Sequence, residues 1–128
     1  QGLKLAGPDE EGSPILNDRV VAFNGTGESA YKDFLFERRS GPFEWVRQDG
    51  CVFSFCRTAR QPYDLAVTSC LLLAKHRFGD ALTVFSDGED EDWKAARDLC
   101  ESVLGYGSTV HVVCDRKANG HMLLDCRA

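Results

Sequence analysis

No two cysteines in this chain are separated by two residues, although six are present. That removes the usual ligand spacing of a structural zinc site and of a CxxC redox pair. There is no run of about 18 apolar residues, so no membrane-spanning helix is expected. There is no phosphate-binding P-loop and no G-x-G-x-x-G; the "GTG" of Gly25 to Gly27 is too short to count. The nucleophile elbow G-x-S-x-G is missing as well. Positive charge is the scarcer sign: 15 basic residues stand against 20 acidic ones, a net charge of −5. Duplex nucleic acid and anionic membranes select basic surfaces, so neither is expected as the main partner.

What is present describes an ordinary globular chain. With 128 residues, 43% hydrophobic and 27% charged, it has enough apolar material for a core. "QG" at the start reads as the scar of a cleaved tag. The stretch to Pro14 holds Gly7, Pro8, Gly12, Ser13 and three acids, and reads as a flexible lead-in. Residues 15–128 are then expected to form a single α+β domain. Cys70 and Cys100 fall on apolar helical stripes, and Cys51, Cys56, Cys114 and Cys126 fall on strands. Reduced core thiols are the expectation, with no metal and no cofactor, and a cytoplasmic location follows from them.

The first half reads as short strands: Arg19 to Asn24, Tyr31 to Arg38, Phe43 to Arg47 and Cys51 to Cys56, with a hairpin turn at Asp49-Gly50. Then the apolar period changes. Tyr63, Val67, Cys70, Leu71, Ala74 and Phe78 recur three and four apart, which predicts a helix over 62–78. A strand at Ala81 to Phe85 follows. A second helix is expected over 89–104, with Trp93, Ala96, Cys100 and Val103 inward and Lys94, Arg97, Asp98 and Glu101 in water. Thr109 to Cys114 and His121 to Cys126 read as the last strands. The expected architecture is a mixed sheet of six or seven strands with two helices on one face, antiparallel in its first half and β-α-β-α-β in its second.

That arrangement gathers three loops at one sheet edge: Arg57 to Gln61, Ser86 to Asp92 and Asp115 to Gly120. Ligands of open sheets with parallel strands bind at such an edge. Arg57, Thr58, Arg60, Tyr63, Ser86 and Asp87 are therefore the candidate ligand-binding residues, for an anionic or polar small molecule. A second reading gives Arg57 and Arg60 to Asp87, Glu89 or Asp90 as structural ion pairs. "SDGEDED" has several oxygen ligands but not the spacing of a calcium loop; Ser86 or Asp87 capping the second helix explains it. His76, His111 and His121 have no recognisable partner spacing. The reading therefore leans from an enzyme toward a binding protein. A small enzyme using Arg57 and Asp87 is the alternative. Phe34, Phe36, Phe43, Trp45, Phe53 and Phe55 exceed what two helices cover, which raises a homodimer or a ligand cleft.

"FCRTARQPYDLAVTSCLLLAKHRFGDALTVFSDG", Phe55 to Gly88, resembles a group of uncharacterised bacterial and mobile-element proteins of the phage or gene-cassette type. The shared pattern is Cys-basic-Thr-Ala-Arg, Pro-Tyr-Asp, a long helix, then Ser-Asp-Gly after a strand. The resemblance covers about a quarter of the chain and brings no activity with it. It implies an accessory role in a mobile element, and that Arg57, Thr58, Arg60, Tyr63, Asp64, Ser86 and Asp87 belong to one pattern.

Overall fold

The computed structural model describes residues 4–37, 45–46, 52–53, 56–86, 88–115 and 121–126. Its contacts divide the chain into two compact units, Gln1–Asp64 and Leu65–Ala128. The class is α+β. Eight strands are found among the described residues, in three separate sheets, and every ladder is antiparallel. These ladders do not join the strands into one mixed sheet.

The first unit is built on β1 (Ile15–Leu16), β2 (Val20–Phe23) and β3 (Phe34–Glu37), in the order β1-β2-β3. Val21 pairs with Phe36 and Phe23 with Phe34, so these four residues share a face. The Phe23 and Phe34 rings meet at 5.1 Å, and Phe34 and Phe36 at 6.4 Å, as the two-residue spacing of Phe34 and Phe36 led us to expect. β4 (Trp45–Val46) and β5 (Val52–Phe53) form a two-stranded hairpin with Trp45 opposite Phe53. Its turn at Asp49-Gly50, Phe43 and Phe55 lie outside the described residues.

The residues read as a lead-in are tied into this unit. Ala6 is buried, and its N–H and C=O exchange hydrogen bonds with Asn24 at 2.9 Å. Beyond it Pro8–Glu10 makes one 3-10 turn, closed by Asp33, whose two carboxylate oxygens accept from Asp9 N–H at 3.0 Å.

The second unit holds the helix α1 (Asp64–Phe78, its first residue belonging to the first unit), β6 (Phe85–Ser86), α2 (Lys94–Leu104), β7 (Val110–Asp115) and β8 (His121–Cys126). The sheet order is β6-β8-β7. β8 runs antiparallel to both neighbours, so β6 and β7 point the same way without touching. Leu72, Val84, Trp93, Ala96, Cys100, Val110, Val112 and Leu124 form the core cluster. Each fully buried large side chain among them contributes about 1.5–3 kcal/mol. Gly107 must be glycine here: its φ is +105°, and a Cβ would stand 2.8 Å from Leu72 Cδ2.

Two stripes turn out differently from the expected ones. On α1 the buried residues are Val67, Thr68, Ser69, Leu72 and Lys75, while Phe78 is exposed. Lys75 closes the helix end in its place, its ammonium donating to the carbonyls of Gly79 at 2.9 Å and Leu82 at 2.7 Å. Both carbonyls belong to the 3-10 turn Gly79–Ala81 and its cap Leu82, so the ammonium ties α1 to the turn that follows it, which a phenyl ring cannot do. The second helix begins at Lys94 and not near Glu89, after a 3-10 turn at Asp90–Trp93; Trp93, Ala96 and Cys100 are buried as expected, but Val103 is 69% exposed.

Candidate functional site

The stretch from Cys56 to Asp64 makes a compact corner. Gln61 N–H donates to Thr58 C=O at 3.0 Å, and Asp64 N–H to Gln61 C=O at 2.8 Å. Between them Ala59 and Arg60 carry φ of 51° and 56°, the left-handed region that L-residues avoid. Neither residue is glycine or asparagine, so this turn is under strain of about 1–2 kcal/mol per residue. The bonds around it hold it. Thr58 Oγ1 donates to Asp64 Oδ1 at 2.6 Å. The Tyr63 hydroxyl donates to the carbonyls of Lys32 at 2.6 Å and Arg57 at 3.2 Å. Lys32 N–H returns a bond to the same Arg57 carbonyl at 3.2 Å.

Tyr63 is fully buried, and its ring lies against Gly25. A Cβ at Gly25 would sit 2.9 Å from Tyr63 Cδ1 and 2.1 Å from Ser29 O. Close approach, not phosphate binding, explains this glycine. Asn24, also buried, fixes the segment before β3 that carries Lys32. Its Oδ1 accepts from Gly25 and Tyr31 N–H at 2.7 and 3.1 Å, and its Nδ2 donates to Tyr31 C=O and Asp33 Oδ1 at 3.2 and 2.8 Å.

Of the expected ligand residues, this corner unites Arg57, Thr58, Arg60 and Tyr63. Arg57 and Arg60 are exposed, whereas Thr58 and Tyr63 spend their hydroxyls on the fold. Ser86 belongs to the second unit, where its Oγ accepts from Gly88 N–H at 2.9 Å and Trp93 Nε1–H at 3.3 Å. Asp87 lies outside the described residues. Ser86 does not cap α2; the capping box here belongs to the 3-10 turn Asp90–Trp93 that leads into α2, with Glu89 as its N-cap and Glu89 N–H donating to Asp92 Oδ2 at 2.8 Å.

The groups able to do chemistry in this corner are tuned away from it. Burial, against the opposing pull of Lys32 and with Asp64 and Asp33 adding to it, pushes the Cys56 thiol up to about 11. Burial foremost, then the neighbouring Cys56, drives the Tyr63 phenol well above its ordinary range. A thiol held protonated at neutral pH is a poor nucleophile.

Sequence reasoning missed one cluster altogether, that around Asp90 in the second unit. Arg97 Nη1 and Nη2 donate to its Oδ1 and Oδ2 at 2.8 and 3.3 Å, and Nη2 also to its carbonyl at 3.2 Å. Val112 N–H donates to Oδ1 at 2.8 Å. His111 Nδ1 stands 3.1 Å from Oδ2, and a carboxylate only accepts, so Nδ1 carries the proton. Burial tends to raise the Asp90 pKa, but His111, the Val112 amide and Arg97 together hold it below the ordinary value. Arg97, expected in water, has only 11% of its side chain exposed. No spacing rule links residues 90 and 111; the pair exists only once α2 and β7 are folded.

Among the described residues no group of three or more His, Cys, Asp or Glu side chains is placed to hold a metal ion, and no helix is long and apolar enough to cross a membrane. Cys56, Cys70 and Cys100 carry free thiols. Comparison with protein families, curated proteins and solved structures returns no match.

Proposed function

We propose that this chain is a small binding protein whose recognition element is the Thr58–Gln61 turn, and that Arg57 just before it and Arg60 on it take an anionic or polar small molecule. One observation carries the reading. Exposed Arg57 precedes, and exposed Arg60 is part of, a left-handed, non-glycine turn that is braced by Tyr63 and the Thr58–Asp64 bond. Strain of that kind persists where the surroundings over-determine it, and it gathers at ligand-binding positions. A fixed turn lowers the ordering cost of binding. Guanidinium forks match oxyanions in a bidentate way that lysines do not.

In this reading Thr58 and Tyr63 are supports, and the two arginines are the ligand contacts. The raised thiol and phenol favour binding over catalysis. An accessory role in a mobile element is the setting that the Phe55–Gly88 resemblance implies. A homodimer is a second reading, favoured by the exposed Ile15 and Leu35, which both pair with Ala22 and so share one sheet face.

The test is the thermal midpoint of wild type, Arg57→Ala, Arg60→Ala and the double variant, each with and without inorganic phosphate. A ligand that binds only the folded state raises the midpoint. We expect phosphate to raise wild type and leave the double variant unmoved. A large drop in both single variants, with no phosphate effect in wild type, assigns the arginines to the fold and removes the site.

A further inference from the structure

The Asp90 carboxylate is fixed by Arg97 on both oxygens, by Val112 N–H on Oδ1 and by the His111 ring on Oδ2. It cannot turn from the ring without giving up those bonds. The ring is thereby held in one tautomer, with the proton on Nδ1 and the lone pair on Nε2. Among the described residues no hydrogen bond to Nε2 is found, and the side chain is 36% exposed. Val112 N–H already ties the 3-10 turn to β7, so the His111 bond is additional to that tie. An imidazole oriented through one nitrogen by a carboxylate, with the other nitrogen open to water, is the arrangement of an activated nucleophile. The surface beside it is apolar. Val110, Val112 and Leu124 belong to the core, so alternation places His111 and Val113 on the other face of β7. The register sets Val113, Leu123 and Phe85 in one row across the three strands, and Phe85 is exposed. That row starts two residues along β7 from His111.

We infer that His111 is a nucleophilic catalytic residue for the hydrolysis of aryl esters of apolar carboxylic acids, with Asp90 as its positioning residue and the Phe85–Val113 row as the seat of the acyl chain. Nε2 attacks the ester carbonyl carbon, the bond from that carbon to the aryl oxygen breaks, and the phenolate leaves. The acyl group now sits on Nε2, and Asp90 balances the positive ring through the Nδ1 proton. Water then adds to the acyl carbon and the carbon–nitrogen bond breaks. The carboxylic acid leaves, the phenolate takes up the remaining proton from water, and the ring returns to its starting tautomer. Ester and water give acid and phenol, with no oxidant or reductant. Aryl esters are the class because a phenolate, whose conjugate acid has a pKa of about 10, is a far better leaving group than an alkoxide. The site is independent of the arginine turn, which lies in the other unit.

Release of nitrophenolate from p-nitrophenyl acetate and p-nitrophenyl butyrate tests this on wild type, His111→Gln, Asp90→Asn, Phe85→Ser and the control His76→Gln, with circular dichroism to establish folding at the assay temperature. Wild type should hydrolyse the butyrate at least about tenfold faster than free imidazole at equal concentration. His111→Gln should lose at least about nine-tenths of that rate, and His76→Gln should keep it. Asp90→Asn should lower kcat several-fold and leave KM in place, because it acts on the ring charge and not on the acyl chain. Phe85→Ser should raise KM for the butyrate more than for the acetate. A wild-type rate no higher than that of free imidazole overturns the proposal, as does a folded His111→Gln protein with the wild-type rate. Wild-type kcat in Asp90→Asn removes the positioning role, and an unmoved butyrate KM in Phe85→Ser removes the acyl seat. Should His111→Gln not fold, diethyl pyrocarbonate on wild type decides. Modification mapped to His111 must parallel the loss of rate, and a rate that survives it overturns the assignment.

Discussion

Replacing Ala59 by glycine should make the protein more stable, which is the reverse of what glycine does almost everywhere else. Ala59 stands at φ 51° and Arg60 at 56°. For a residue with a Cβ the left-handed region costs about 1–2 kcal/mol. Glycine removes that cost but gives the unfolded chain more freedom, worth about 0.5–1 kcal/mol against folding. The difference leaves a gain of about 0.5–1 kcal/mol, or roughly 2–6 °C in the midpoint for a chain of this size. Ala95 supplies the internal control. It is exposed in the first turn of α2, directly after the 3-10 turn Asp90–Trp93, where the backbone is right-handed and glycine has nothing to relieve. Ala95→Gly should therefore lose about 0.5–1 kcal/mol. Thermal melts of the two variants side by side read opposite signs if the turn is strained. If Ala59→Gly falls by as much as Ala95→Gly, Ala59 is not held left-handed and the argument for a preformed turn fails. The same variant should bind an anion more weakly than wild type, because the relaxed turn must be ordered again on binding.

Three further outcomes follow from named groups. Asp90 has a folded pKa below its ordinary value, so its contribution to stability is complete above about pH 4 and is lost as pH falls further through the folded value; Asp90→Asn should lower stability at neutral pH and flatten that acid limb in midpoints measured down to about pH 2. Cys56 has the opposite sign: its raised pKa favours the folded state below about pH 9, and that advantage disappears as pH rises toward about 11. Alkylation of Cys56 in folded protein at about pH 8 should accordingly be much slower than in the denatured chain, and equal rates would contradict the buried, protonated thiol. Ser69 Oγ is buried without a hydrogen-bond partner, so Ser69→Ala should be neutral or stabilising by up to about 1 kcal/mol in denaturant unfolding, and a loss of several kcal/mol would mean that the hydroxyl is satisfied.

Local signals were legible in the sequence and long-range ones were not. Both helices end close to where period, Asp64, Lys75 and the following glycines place them, because those signals act within one turn. His121–Cys126 is found as a strand over the expected residues, while the strand expected at Ala81–Phe85 begins only at Phe85, after a 3-10 turn at Gly79–Ala81. The sheet pairing was beyond reach of pattern alone. A parallel crossover between β6 and β7 is the usual outcome of a strand-helix-strand run, but β8 folds back between them and takes both ladders. Burial erred where a polar tip found a distant partner: Arg97 reads as a solvated charge until Asp90 is in place. In the candidate site, "CRTARQPYD" marked the right corner. It did not separate the arginines that face outward from the Thr58 and Tyr63 hydroxyls that hold the turn, since Tyr63's partner is a carbonyl 31 residues away.

The most direct measurement of the central claim is a titration of the folded protein with inorganic phosphate, followed through the side-chain Nε–H resonances of the arginines. A saturable shift confined to Arg57 and Arg60, abolished for each by its own Ala substitution and weakened by Ala59→Gly, is what a prebuilt anion-binding turn predicts. Shifts of equal size across exposed arginines such as Arg19, Arg57 and Arg77, growing linearly with phosphate, would show general screening and contradict a site at this turn.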